Sequence, residues 1–325
     1  MDILITGGGG MIGRKLVERL ARQGTLNGEP ITRVILQDVV EPQVPQDVPF
    51  AVQTRTTDLA DAGEAEALVK TRPQVIFHLA AVVSGEAETD FDKGYRVNMT
   101  GTLNLLEAIR AAGNVPRLVF TSSIAVYGAP FPEPIGDDFF HQPLTSYGVQ
   151  KACGELLMMD YTRKGFVDGI AIRLPTICIR PGKPNKAASG FFSGILREPL
   201  AGMEAVCPVE DTVRHWVASP RAATGFLVHA AELDGETVGP RRNLTMPGLC
   251  VSIRDMLDSL RRVAGDTVAD RVRFEPDPFI VKIVSGWPQN FAATRAPELG
   301  FTADSDFDAI IRSHIEDELG GVIAG

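Results

Sequence analysis

The chain opens on a short apolar run, Asp2 to Thr6, that leads directly into TGGGGMIG, Thr6 to Gly13, and then into a helix-like stretch from about Met11 to Arg22. This order of apolar strand, glycine run and helix limits the fold more than any other feature. A strand of this kind that feeds a helix belongs to a crossover unit, and such units build parallel sheets with helices on both faces. The pattern continues with Arg33 to Asp38 (RVILQD), Phe50 to Arg55, Val75 to Leu79, Arg117 to Ser122 (RLVFTS) and Gly169 to Leu174 (GIAIRL) as further strands. Helical stretches lie between them near Ala62 to Lys70, near Asp90 to Ala112, and up to about Lys164. The expected class is therefore α/β, with a doubly wound parallel sheet. The second half is less regular. A loop rich in Pro, Lys and Asn runs from Pro181 to Ser189, short strands fall at Asn243 to Met246 and Val272 to Phe274, and a last helix covers Phe307 to Leu319. It reads as a smaller mixed α/β C-terminal lobe. The expected division is residues 1–175 and residues 176–325, with a discontinuous boundary.

Composition narrows the function classes. A chain of 325 residues with 44% hydrophobic and 22% charged residues is that of a globular enzyme-sized protein. A net charge of −9 argues against binding nucleic acid or an anionic membrane surface. Cys153, Cys178, Cys207 and Cys250 form no C-x-x-C pair, so neither a metal site nor a disulfide framework is expected. Reduced thiols fit a cytoplasmic location. The first residues already read as a core strand rather than a signal peptide, and the apolar run from Val75 to Val83 is too short to span a bilayer.

Gly7, Gly10 and Gly13 are spaced three apart at a strand-to-helix junction. Glycines there let the backbone turn sharply and approach a pyrophosphate, whose charge meets the helix N-terminus at Met11 and Ile12. Asp38 ends the second strand, where a carboxylate accepts hydrogen bonds from both ribose hydroxyls and repels a 2′-phosphate. The expected cofactor is NAD rather than NADP. Arg14 pulls the other way, but Val39 supplies no second cation, so Arg14 reads as solvated. Asp58-Leu59 follows the third strand and suits either an adenine contact or a helix N-cap. His78 reads as a core histidine, and Leu79, Ala80 and Ala81 after it are small enough for close passage of the chain by the cofactor.

SYGVQK, residues 146–151, places Tyr147 and Lys151 four apart on one face of a helix. A free tyrosine has a pKa of about 10, and a close, desolvated ammonium favours its phenolate. Alone, such a pair is common by chance. Here Ser122-Ser123 ends the fifth strand at the same sheet edge, and Asn98 lies in the helix before it, where it could hold a water that passes protons to Lys151.

Taken with those residues, TGGGGMIG, HLAA, VNMTGTLNLLEA, TSSIAVYG, YGVQK and RLP make the chain similar, over nearly its whole length, to the extended short-chain dehydrogenases/reductases. That resemblance implies a Rossmann-type domain and a homodimer paired through the helices near Asp90 to Ala112 and Tyr147 to Lys164. It implies Tyr147 as general acid/base, Lys151 as its pKa-lowering partner and ribose contact, Ser123 as the substrate-orienting hydroxyl, and Asn98 as a relay residue. Pro175 and Thr176 carry over as backbone contacts to the nicotinamide end. Sugar-nucleotide members of the family usually carry R-D-Y-x-H-V, whereas this chain has RHWVASP from Arg214. The stretch Arg173 to Leu200 instead resembles a branch acting on a four-carbon sugar acid. The expected reaction is NAD-dependent oxidation of the hydroxyl beside the carboxylate, with D-erythronate as substrate. Arg180, Lys183, Lys186 and Arg214 are candidate carboxylate ligands, at least two of which read as solvated surface, and Ser84 is either a substrate contact or a turn residue. The alternatives are a sugar-nucleotide epimerase and a non-catalytic NAD sensor.

Overall fold

The computed structural model describes residues 1–182 and 189–324. Ten strands and eight helices position the site. The strands are β1 (Asp2–Thr6), β2 (Arg33–Asp38), β3 (Ala51–Thr56), β4 (Val75–His78), β5 (Arg117–Ser123), β6 (Asp168–Leu174), β7 (Thr176–Ile177), β8 (Arg214–Ala218), β9 (Asn243–Thr245) and β10 (Leu249–Ser252). The helices are α1 (Met11–Gln23), α2 (Glu64–Val69), α3 (Gly101–Ala112), α4 (Ser146–Arg163), α5 (Gly190–Leu200), α6 (Pro220–Glu232), α7 (Ile253–Ala264) and α8 (Phe307–Leu319).

The main sheet has seven strands in the order β9-β6-β5-β4-β1-β2-β3, and every pairing is parallel. Along β1 the side chains alternate. Ile3 and Ile5 join Leu16 and Leu20 of α1 and Phe226 and Leu227 of α6 on one face. Leu4 joins Leu68, Leu105, Leu106 and Met158 on the other, beneath α2, α3 and α4. Strand order reverses at β1, which has β4 on one side and β2 on the other. In an open α/β sheet the crevice at such a point, beyond the C-terminal strand ends, is where ligands bind.

A three-stranded sheet, β7-β8-β10, lies beyond it. Its apolar core joins Phe192, Ile195 and Leu196 of α5, Val217 of β8, Met256 and Leu260 of α7, and Ile310 and Ile311 of α8. The second half also returns to the main sheet. β9, expected among the short strands of the smaller lobe, pairs with β6 in register Leu244 to Ile172, and α6 packs beside α1. The single helix expected from Asp90 to Ala112 is divided. A short helix, Phe91–Gly94, passes into a π-helical turn, Tyr95–Thr100, before α3 begins. Asn98 sits in that turn, its side chain turned inward to the backbone of Val82. No helix among the described residues is long and apolar enough to cross a membrane.

Candidate active site

A cavity of about 500 Å³ opens at the reversal point, between the C-terminal ends of β1, β4 and β5 and the smaller lobe. Its wall includes Gly7, Gly10, Met11, Ile12, Gly13, Leu79, Ala81, Ser84, Ser122, Ser123, Tyr147, Lys151, Pro175, Thr176 and Arg180.

The floor is built by the glycine loop. Gly7 has φ +74°, and a Cβ on it would lie 2.6 Å from the Ala80 nitrogen. On Gly13 a Cβ would lie 2.5 Å from the Gly7 oxygen. Any side chain at either position would push the loop off the sheet. α1 starts at this loop with no side-chain cap and no acidic residue in its first turn. Its first N–H groups therefore remain for an anion, with the helix dipole behind them. Asp38 stands beside the loop, where its Oδ2 accepts from the Gly9 N–H at 2.9 Å. The donor set and the cleared backbone fit a dinucleotide: the α1 N-terminus would hold its pyrophosphate and Asp38 its ribose. Arg14 is not part of the cavity wall.

Tyr147 and Lys151 project from the first turns of α4. Thr145 caps that helix, its hydroxyl accepting from the Gly148 N–H at 3.1 Å. Gly148 permits the approach to β5, since a Cβ there would lie 2.2 Å from the Ala125 oxygen. The contact sets Tyr147 beside Ser123 at the end of β5. Burial pushes the Tyr147 phenol up to about 12, against the pull of Arg180 and the Ser123 hydroxyl. Burial also lowers Lys151 to about 8, against the field of Glu155. The Lys151 ammonium donates to the Thr121 carbonyl at 2.8 Å and lies 5.8 Å from the Tyr147 ring centroid. Ser123 Oγ accepts from the Ala125 N–H at 3.1 Å. Ser122 Oγ is buried with no partner among the described residues.

Asn98 is buried beneath the cavity wall. Its amide accepts from the Val82 N–H at 2.8 Å and donates to the Val82 carbonyl and to Gln150 Oε1, which ties the loop after β4 to α4. His78 is the core residue its sequence context suggests. Its Nδ1 lies 2.7 Å from Thr6 Oγ1 and its Nε2 2.9 Å from Thr102 Oγ1, and burial lowers its pKa to about 3. Asp58 is neither helix cap nor cavity residue. It accepts from the Ala60 N–H and pairs with Arg96, while Gly63 precedes α2. Leu59 is buried in the core under α2, and Asp38, Asp58, Leu59, Ala80 and Asn98 all lie outside the cavity wall itself.

The candidate carboxylate ligands separate clearly. Lys183 and Lys186 lie outside the described residues. Arg214 is half-exposed, pairs with Glu133 and is not in the cavity wall. Arg180 is in the wall, partly buried, and donates from Nε to the Ile177 carbonyl and from Nη2 to Ser189 Oγ, both at 3.0 Å. Among the described residues no carboxylate lies within salt-bridge reach of it. Residues that the sequence did not single out complete the wall: His215, Arg197 and Trp287. His215 was visible only as the residue after Arg214 in the altered RHWV segment.

A sheet reversing at a glycine loop, with a carboxylate beside the loop and a Tyr-Lys-Ser group above it, defines a nucleotide-dependent oxidoreductase. The model of the NAD dependent epimerase/dehydratase family matches residues 3–241, and the chain belongs to that family, as an NAD-dependent oxidoreductase. A D-erythronate dehydrogenase of Cupriavidus necator is 50% identical over 98% of each chain. A D-erythronate dehydrogenase of Haemophilus influenzae is 42% identical over 98% of this chain and 100% of its own. A crystal structure described as a nucleoside-diphosphate-sugar epimerase from Agrobacterium tumefaciens has a TM-score of 0.97 at 59% identity, covering 100% of this chain and 96% of that one.

Proposed function

We propose that the protein oxidises a small 2-hydroxy sugar acid, D-erythronate, to its 2-oxo acid, with Tyr147 as general base. The observation that carries this reading is Arg180. A partly buried guanidinium with no carboxylate partner among the described residues, in the wall of the cavity that Tyr147 lines, calls for an anionic ligand. A substrate carboxylate on Arg180 would leave the neighbouring C2 hydroxyl for Ser123 and Tyr147, which share the cavity wall with it. NAD, when bound, supplies the hydride acceptor. Ser123 orients the hydroxyl, and Tyr147, having first given up its own phenolic proton, takes the hydroxyl proton as a phenolate. Lys151 holds positive charge beside the phenol up to about pH 8, and Asn98 positions α4 and the loop after β4. The two relatives named D-erythronate dehydrogenase support the substrate class.

Residues 1–175 would hold NAD and the catalytic group, and residues 176–325 mainly the substrate, with α6 and β9 returning to the first part. Leu79, Ala81, Pro175 and Thr176 would line the bound cofactor from the cavity wall, and Ser84 would reach the substrate. Two copies would pair through α3 and α4, where Leu103 and Leu156 are exposed while Leu106 is buried.

The name of the Agrobacterium relative favours a second reading, epimerisation of a sugar nucleotide. The test is to supply NAD with D-erythronate, erythritol or UDP-glucose and to follow NADH absorbance. Oxidation of erythronate and not of erythritol is expected. UDP-glucose epimerised with no NADH formed, and erythronate untouched, would decide for the second reading.

A further inference from the structure

The cavity wall also includes His215, which β8 carries in from the smaller lobe. Its ring stacks on Phe192 of α5, with centroids 4.7 Å apart and planes 6° from parallel, and lies 5.4 Å from Trp287. Nε2 lies 2.7 Å from Thr176 Oγ1. Nδ1 is buried and has no hydrogen-bond partner among the described residues. Burial, with the Arg180 charge, holds the imidazole neutral at physiological pH. A neutral imidazole has one N–H and one lone pair, so with one nitrogen engaged by a threonine hydroxyl the other still has a hydrogen bond to make. His78 shows the structural alternative, since both of its nitrogens meet threonine hydroxyls. His215 is fixed in the cavity wall by aromatic stacking instead, and its Nδ1 has a hydrogen bond still to make.

With the carboxylate on Arg180 and the C2 hydroxyl at Ser123 and Tyr147, the hydroxyls beyond C2 are left for the other polar wall residues, Ser84 and His215 among them. We propose that His215 is a specificity-determining residue that hydrogen-bonds a substrate hydroxyl beyond the reacting carbon, selecting polyhydroxy acids over simple 2-hydroxy acids. This rests on the sugar-acid reading of the site.

The test compares D-erythronate with 2-hydroxybutyrate of the same C2 configuration, which lacks the hydroxyls at C3 and C4. The readout is the ratio of kcat/KM values, or of binding constants read by competition where turnover is too slow. Wild type should favour erythronate. His215→Phe keeps a ring on Phe192 and removes both nitrogens. It should cut the ratio about tenfold through loss on erythronate alone, with KM for NAD unchanged. His215→Gln, which restores a donor and an acceptor, should recover part of it. If the phenylalanine variant is not recovered folded, His215→Leu is read in its place. An unchanged ratio in the phenylalanine or leucine variant, or a wild type with no preference, overturns the role of His215 while leaving the sugar-acid reading intact. A wild type that binds neither acid overturns both.

Discussion

Helix α4 carries Tyr147 and Lys151 on its first turns and Glu155 one turn further on, and the surrounding chain treats the two groups differently. Glu155 is fully buried and fully partnered. It accepts from Arg173 Nε at 3.0 Å, from Arg173 Nη2 at 2.8 Å and from Asn243 Nδ2 at 2.9 Å, and His141 Nε2 lies 2.7 Å away. Burial pushes its pKa up, but His141 and Arg173 outweigh that and hold it at about 2. Tyr147 has no such set of partners, and burial wins, at about 12. The same contrast separates Arg173, bound to Glu155 and Tyr127, from Arg180, which has no carboxylate among the described residues. Where buried polar groups close on one another they fix the fold, here tying α4 to β6 and β9. Where they are left open at a cavity, a ligand completes them.

The largest expected effect is at the open end. Tyr147→Phe should lower turnover about 10²- to 10⁴-fold, with NAD affinity and unfolding midpoint nearly unchanged, as initial rates and denaturant titration will show. At the closed end the effects should invert. Glu155→Gln leaves the Arg173 guanidinium buried without its carboxylate and should cost about 3–5 kcal/mol of stability in a denaturant titration. Turnover should fall only a few-fold, because Glu155 supports the Lys151 charge without touching substrate.

Arg180→Ala should raise KM for the acid roughly ten- to a hundredfold, the range for a charge-assisted contact, and leave KM for NAD unchanged. Arg214→Ala, which removes a half-exposed ion pair outside the cavity, should leave both within error. Asp38→Ala should weaken NAD about tenfold while NADP is little affected, read from KM values.

A separate effect is in the acid limb of stability. His78 and His215 titrate at about 3 in the fold and near 6.5 unfolded. The unfolded chain therefore binds more protons between those values, and stability falls as pH drops from 6.5 towards 3. Glu155 adds a further loss as pH drops from its ordinary value of 4.5 towards 2. Melting temperature should be level from pH 6.5 to 8 and decline below, and Glu155→Gln should lose only the steeper part below 4.5.

The sequence carries the open end more plainly than the closed one. Glycine spacing, Asp38, and the Tyr147-Lys151 pair have local signatures, because each depends on one strand end or one helix turn. Glu155 reads as an ordinary helix-surface glutamate until Arg173 arrives from β6 and Asn243 from β9, contacts between residues 18 and 88 apart in the chain. β9 itself is only three residues long, and nothing within it marks β6 as its neighbour. The break before α3 was hidden for a similar reason. The stretch reads as continuous helix, and the inward bonds of Asn98 to Val82 and Gln150, which accompany the π-helical turn, form with residues 16 and 52 positions away. Among the cations, Arg180 and Arg214 look alike in sequence. Burial separates them, and burial is a property of the folded lobe.

The central claim, that the open cluster oxidises the C2 hydroxyl of a sugar acid, is tested most directly with C2-deuterated D-erythronate and NAD under initial-rate conditions. The account predicts deuterium in the NADH formed, a primary isotope effect where the hydride step limits the rate, and the same labelled NADH formed about 10²- to 10⁴-fold more slowly in Tyr147→Phe. Erythronate recovered with its label intact and no NADH would contradict it.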